Sequence, residues 1–208
     1  MRLAVLYTTC FLALVPSAAS AQLLSLGVRG GASLSTMSLT GSGAPAGRTS
    51  MAIGPTAVMW LSDHLAFQFD ALYVGKGFTA DESAGVTTLL SLSYLEVPLV
   101  AVYALPKAGS GMFQARLQGG TAFGFRVRCS VDAGTGDVTG ITDCDPENVA
   151  TFDLGLVGGA GLKIGKGRGG LTIDATYTFG LLDANLNPAL TARNRALLIS
   201  AGFLFPIM

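Results

Sequence analysis

Leu171-Thr172-Ile173-Asp174-Ala175-Thr176-Tyr177-Thr178-Phe179 alternates apolar and polar residues at every step. A β-strand turns successive side chains to opposite faces. One face here is therefore Leu, Ile, Ala, Tyr and Phe, and the other is Thr and Asp. The same parity runs through most of the chain, and no stretch after Gln22 carries a helical period.

In a first strand, Leu24, Leu26, Val28, Ala32 and Leu34 alternate with Ser25, Gly27, Arg29, Gly31, Ser33 and Ser35. A second, Ser50 to Leu61, is less regular, with Pro55 as an interruption. In the third, Leu65, Phe67, Phe69, Ala71 and Tyr73 oppose Gln68, Asp70 and Lys76. The fourth, near Leu89 to Leu105, sets Leu95, Val97, Leu99 and Tyr103 against Tyr94 and Glu96. The fifth, Gly111 to Arg128, sets Phe113, Leu117, Phe123, Phe125 and Val127 against Gln114, Arg116, Gln118, Arg126 and Arg128. The sixth, Phe152 to Ile164, places Asp153 and Lys163 opposite its Leu-rich face. After the Leu171 strand, the last runs from Arg193 to Phe205, with Leu197, Ile199, Phe203 and Phe205 on one side.

Composition says what surrounds these strands. Half of the 208 residues are hydrophobic and 12% are charged, about half the charge of an ordinary soluble chain. The one long apolar run is N-terminal. Arg2 precedes the apolar stretch Leu3 to Pro16, and Ala19-Ser20-Ala21 is a small-residue cleavage site. This pattern is that of a secretory signal, too short to span a bilayer as a helix. Residues 1–21 are read as a signal peptide cleaved between Ala21 and Gln22, and residues 22–208 as one mature domain. Cys10 lies inside the apolar run, where it cannot serve as a lipoprotein anchor.

Loss of Arg2 shifts a balanced 13 basic and 13 acidic residues to a net charge of about −1. No basic excess remains for nucleic acid. Cys129 and Cys144 are left as an isolated pair, most simply one disulfide in an exported protein. A bridge across a loop of that length contributes about 3 kcal/mol if unstrained.

The connections alternate in length. Ser62-Asp63-His64, Pro106 to Ser110 and Lys166 to Gly169 are turns; Met37 to Thr49, Gly77 to Thr88, Cys129 to Asn148 and Leu182 to Ala192 are long. Outer-membrane barrels keep short turns on the periplasmic side and long loops outside. The predicted fold is all-β, an eight-stranded antiparallel up-and-down transmembrane β-barrel in a Gram-negative-type envelope, with both termini periplasmic. Closure pairs every backbone group, so hydrocarbon meets none unsatisfied. A secreted lipocalin-like barrel shares the strand count with its apolar face inward. The charges here sit on the sparse, Gly-rich face and Leu, Phe, Val and Ile crowd the other, which favours the membrane.

Ser93-Tyr94-Leu95-Glu96-Val97-Pro98-Leu99, the Gly-rich stretch Gly155 to Gly161, and Asp174-Ala175-Thr176-Tyr177-Thr178-Phe179-Gly180-Leu181 resemble motifs of the small outer-membrane β-barrel family, porin-like and PorT-type. The resemblance covers nearly the whole mature chain. It implies an eight-stranded barrel and an outer-membrane location more than an activity. Such barrels often end on an aromatic residue, whereas Pro206-Ile207-Met208 follows Phe205 here. Recognition by the barrel-assembly machinery is then expected to use Phe203 and Phe205.

Arg29, Asp70, Glu96, Arg116, Asp153, Lys163 and Asp174 share the inward parity. An eight-stranded barrel is just wide enough for side chains to fill it. Buried charges there must pair. A salt-bridged core is the first reading, and a narrow porin passing small polar solutes is the alternative. Asp132, Asp137, Asp143, Asp145 and Glu147 crowd the third long loop without EF-hand spacing, so no metal or other cofactor is predicted. A lipid A-modifying enzyme needs a general base beside its nucleophile. The sole histidine, His64, falls in a turn predicted to be periplasmic, so no catalytic residue is assigned.

Gly165-Lys166-Gly167-Arg168-Gly169-Gly170 matches the dinucleotide-binding spacing, but a strand follows it where a helix is required; it reads as a hairpin turn. Lys163, Lys166 and Arg168 are placed near lipid headgroups, and Trp60 and Tyr103 in an interfacial aromatic girdle. The expected role is structural or adhesion-like, with outer-membrane lipid and lipopolysaccharide around the barrel and an unidentified extracellular ligand at the long loops.

Overall fold

The computed structural model describes residues 24–39, 46–82, 86–106, 111–135, 138–143, 150–184 and 192–207. Among the described residues there are ten strands: β1 (Leu24–Leu39), β2 (Ala46–Trp60), β3 (Leu65–Asp70), β4 (Leu72–Glu82), β5 (Val86–Ala104), β6 (Phe113–Thr135), β7 (Val138–Asp143), β8 (Phe152–Ile164), β9 (Gly170–Gly180) and β10 (Ala192–Ile207). Every pairing is antiparallel. The ring closes through eight positions, because β3 and β4 occupy one position between β2 and β5, and β7 pairs with β6 outside the ring. The closing seam is β1 against β10, in unbroken register from Leu24↔Ile207 to Leu39↔Ala192.

The break between β3 and β4 falls at Ala71, and proline chemistry accounts for it. Ala71 donates its N–H to the Pro55 carbonyl at 3.1 Å. Pro55 has no N–H to return. On the other side, the ladder with β5 jumps from Phe69↔Leu99 to Leu72↔Glu96, passing over Val97 and Pro98. The register is the same on both sides of the gap, so inward parity survives from Gln68 through Lys76.

Alternation sorts the side chains as the sequence pattern requires. On β9, Leu171, Ile173, Ala175, Tyr177 and Phe179 are exposed, while Thr172, Asp174, Thr176 and Thr178 are buried. Val28 is 62% exposed and its neighbour Arg29 only 5%. Along β10 the outward apolar run from Leu197 to Phe205 covers about 27 Å at roughly 3.4 Å per residue. A strand tilt of about 40° reduces that to about 21 Å along the barrel axis, close to the apolar band of a membrane barrel.

Two parts of the sequence reading need correction. Much of what reads as long loop is strand continuing past the apolar band. Met37–Leu39, Gly77–Glu82, Val86–Thr88 and Cys129–Thr135 all remain in ladders. There β7 adds a third strand to the projecting ribbon of β5 and β6. The register also shifts twice, on β2 between Gly47 and Ala52 and at the β5–β6 ladder. Ser93 pairs with Arg128 but Tyr94 pairs with Arg126, leaving Val127 as an extra residue. A bulge of this kind reverses the faces beyond it, so Arg128 is exposed and Cys129 buried. The inward assignment of Arg128 fails for that reason.

Candidate functional site

The barrel interior is layered rather than uniformly polar. At the short-turn end an apolar cluster includes Val58, Trp60, Ala66, Val102, Ala104 and Leu204. Trp60 is 3% exposed and donates from Nε1 to Ser25 Oγ at 3.3 Å. It thus belongs to the interior, not to an outer girdle. Even-numbered parity on β2 turns it inward, and its indole N–H finds a partner there. Tyr103, on the opposite parity of β5, is exposed.

Above this cluster lies the first charged layer. Arg29 Nη1 donates to Asp70 Oδ2 at 2.6 Å, and Arg29 Nη2 donates to Ser200 Oγ at 2.6 Å. Asp174 receives Arg116 twice, at 2.7 Å from Nε and 2.5 Å from Nη2, and Gln118 Nε2 at 2.7 Å. Arg29 Nη2 stands 3.4 Å from the same carboxylate. Gln68 Nε2 bonds both oxygens of Asp70. Two arginines and two aspartates thus neutralise one another, with amides and a hydroxyl filling further sites. Residues from β1, β3, β6, β9 and β10 meet here because each strand brings its inward parity to the same depth.

A second charged layer lies toward the loop end. Lys76 pairs with Glu96 and stands 3.7 Å from Asp153, and its ammonium lies 5.1 Å from the Tyr94 ring centroid. Asn194 Nδ2 donates to Asp153 Oδ2 at 2.8 Å. Beyond it, Met37, Leu92, Tyr94, Cys129 and Ala184 form another apolar cluster. Between the layers is a cavity of about 20 Å³ bordered by Arg29, Asp70, Glu96, Gln118 and Thr178, enough for about one water molecule.

Six of the seven charges singled out by parity fall in these two layers. Lys163 stands apart near the short-turn end, buried, with Nζ donating to the Gly167 carbonyl at 2.7 Å. Its burial removes it from the predicted headgroup contact. Gln68, Lys76 and Gln118, inward by parity in the sequence, join the layers, as does Asn194. Gly167 adopts φ +62° in the turn that precedes β9. The glycine-rich spacing is therefore hairpin chemistry.

His64 lies in the β2–β3 turn, exposed, with Nδ1 2.9 Å from the Ala104 carbonyl and its ring 6.3 Å from Tyr103. Phe203 and Phe205 project from β10 with ring centroids 4.7 Å apart. Ala21, Gln22 and Cys144 lie outside the described residues, as do the side chains of the acidic third loop. Cys129 is described and buried.

The sequence profile of a family described as outer membrane protein beta-barrel domain matches residues 20–185. No curated protein matches the sequence. Among solved structures the chain is similar to Ail, the attachment invasion locus protein of Yersinia pestis. Identity is 13%, coverage is 87% of this chain and 98% of that one, and the TM-score is 0.48. The outer membrane protein OprG of Pseudomonas aeruginosa is 13% identical over 89% of this chain and 98% of its own, with a TM-score of 0.48. The outer membrane enzyme PagL is 17% identical over 85% of this chain and 99% of its own, with a TM-score of 0.38.

Proposed function

The chain belongs to the outer membrane protein β-barrel family, and from that membership we propose a non-enzymatic barrel with a filled lumen and a surface-interaction role. It is an integral protein of the cell outer membrane. The observation that carries the proposal is the mutual pairing of the lumen charges. Arg29, Asp70, Arg116 and Asp174 bond among themselves, leaving a cavity of about 20 Å³ beside them. Such an interior favours a rigid support over a conduit. The adhesion-like role falls to the ribbon of β5, β6 and β7, which runs well past the ~9–11 residues a strand needs to cross. Phe203 and Phe205 are the proposed contact for the assembly machinery.

A narrow porin is the second reading. Arg116 Nη1 and Thr56 Oγ1 are buried without a hydrogen-bond partner among the described residues, so the centre is not fully satisfied. Planar-bilayer recording of the purified protein separates the two readings. No discrete conductance steps are expected; reproducible steps abolished by filling the cavity with Thr178→Phe would establish the pore. Against a lipid A-modifying enzyme stands the position of His64, at the short-turn end and engaged with the Ala104 carbonyl.

A further inference from the structure

We propose that the outward face of the β1–β10 seam is a binding site for one phosphorylated, acylated glycolipid of the outer leaflet. The inference rests on the membrane reading and adds a specific lipid site to it. Two independent features share that face. The first is an apolar groove of about 290 Å³, floored by Gly30 and Ala201 and walled by Val28, Ile53, Leu171 and Phe203. Gly30 and Ala201 are register partners. Two small residues side by side leave a hollow between the larger side chains that flank them.

The second feature is a pair of arginines on the same strand and face. Outward parity on β10 continues from Ala201 through Ile199 and Leu197 to Arg195 and Arg193. Their register partners across the seam are Thr36 and Ser38. Arg195 lies over the Phe179 ring at 5.3 Å, and its Nε is buried with no hydrogen-bond partner among the described residues. Stacking holds that guanidinium at the rim of the apolar belt. Residues 193 and 195 end the outward apolar run of β10 and are both arginine, whose planar fork suits phosphate better than an ammonium does.

The spacing matches a lipid. Six residues separate Ala201 from Arg195, about 20 Å along a strand. A tilt of about 40° makes this about 15 Å along the membrane normal, half of a hydrocarbon core of about 30 Å. A phosphate held by Arg193 and Arg195 would therefore let an acyl chain of its own leaflet end in the groove. Arg128 also faces outward, but it lies on β6, three ring positions away from β10.

The test uses the full mature protein in phosphatidylcholine nanodiscs containing bis-phosphorylated lipid A, its dephosphorylated form, or phosphatidylglycerol. Retained lipid is counted by native mass spectrometry. Wild type is expected to retain phosphorylated lipid A over the other two. The R193Q/R195Q variant should bind it at least about tenfold more weakly, since one charge-assisted bond is worth roughly that factor. Ala201→Phe should weaken binding with both arginines intact, and Arg128→Gln should leave it unchanged. Equal retention of all three lipids, or wild-type affinity in both the glutamine and Ala201→Phe variants, would overturn the site. If the glutamine pair does not assemble, R193K/R195K keeps the charge without the fork and should still bind more weakly; wild-type affinity there overturns the site as well. Failure of the membrane reading would look different: the wild-type chain would stay soluble without detergent.

Discussion

Replacing Asp174 with alanine is the sharpest perturbation the lumen offers. Its carboxylate is 2% exposed and receives two bonds from Arg116 and one from Gln118, with Arg29 close by. Removing it strands Arg116 in a dry interior, while Arg29 keeps Asp70. Breaking a buried pair from one side costs about 3–5 kcal/mol, or about two to four decades in the folding equilibrium. The measurement is urea unfolding in detergent or vesicles, followed by the emission of Trp60, the single tryptophan. With a slope of about 2 kcal/mol/M, the midpoint should fall by about 1.5–2.5 M.

A double variant isolates the cause. Asp174→Ala with Arg116→Met replaces both partners by apolar groups, which is often neutral for a buried pair. It should therefore be more stable than Asp174→Ala alone. A single variant with the wild-type midpoint, or a double variant whose loss equals the sum of the two singles, would refute the argument that the layer is a mutually neutralising network.

Three further outcomes follow from packing. At Gly31 an added Cβ would stand 2.0 Å from the Ile199 carbonyl oxygen across the closing seam. Gly31→Ala should reduce the fraction of chain that migrates as a folded, heat-shifted band. Trp60 should resist acrylamide quenching and lipid-borne quenchers alike, because it is inside the barrel; strong quenching by brominated acyl chains would return it to the girdle. Trp60→Phe removes the bond to Ser25 and should destabilise by about 1 kcal/mol, the net worth of a typical hydrogen bond, measured by urea titration followed by gel mobility.

Much of the architecture could be read along the chain. Strict period-two alternation in Leu171 to Phe179 assigns faces without knowledge of any neighbour, since pleating is a local property of the strand. It also placed Arg29, Asp70, Glu96, Arg116, Asp153 and Asp174 on the inner face. The errors arose where a second strand decides. The bulge at Val127 exists only relative to the β5 register, and it turned Arg128 outward. Pro55 divides a strand that lies across the sheet from it. The projecting ladders of β4, β5 and β6 read as loops because Gly, Ser and Thr weaken the hydrophobic signal while the backbone goes on pairing.

What the sequence by itself determined is the class of solvent on each face: apolar outward, charged inward, short turns at one end. Parity and composition suffice for that, because they depend only on residue order. The tertiary structure decided which charges meet, since Arg116 and Asp174 lie 58 positions apart and only ring closure and register bring them to one depth. It also set Gly30 beside Ala201 across the closing seam. Those juxtapositions depend on the stagger between strands, which no single strand encodes.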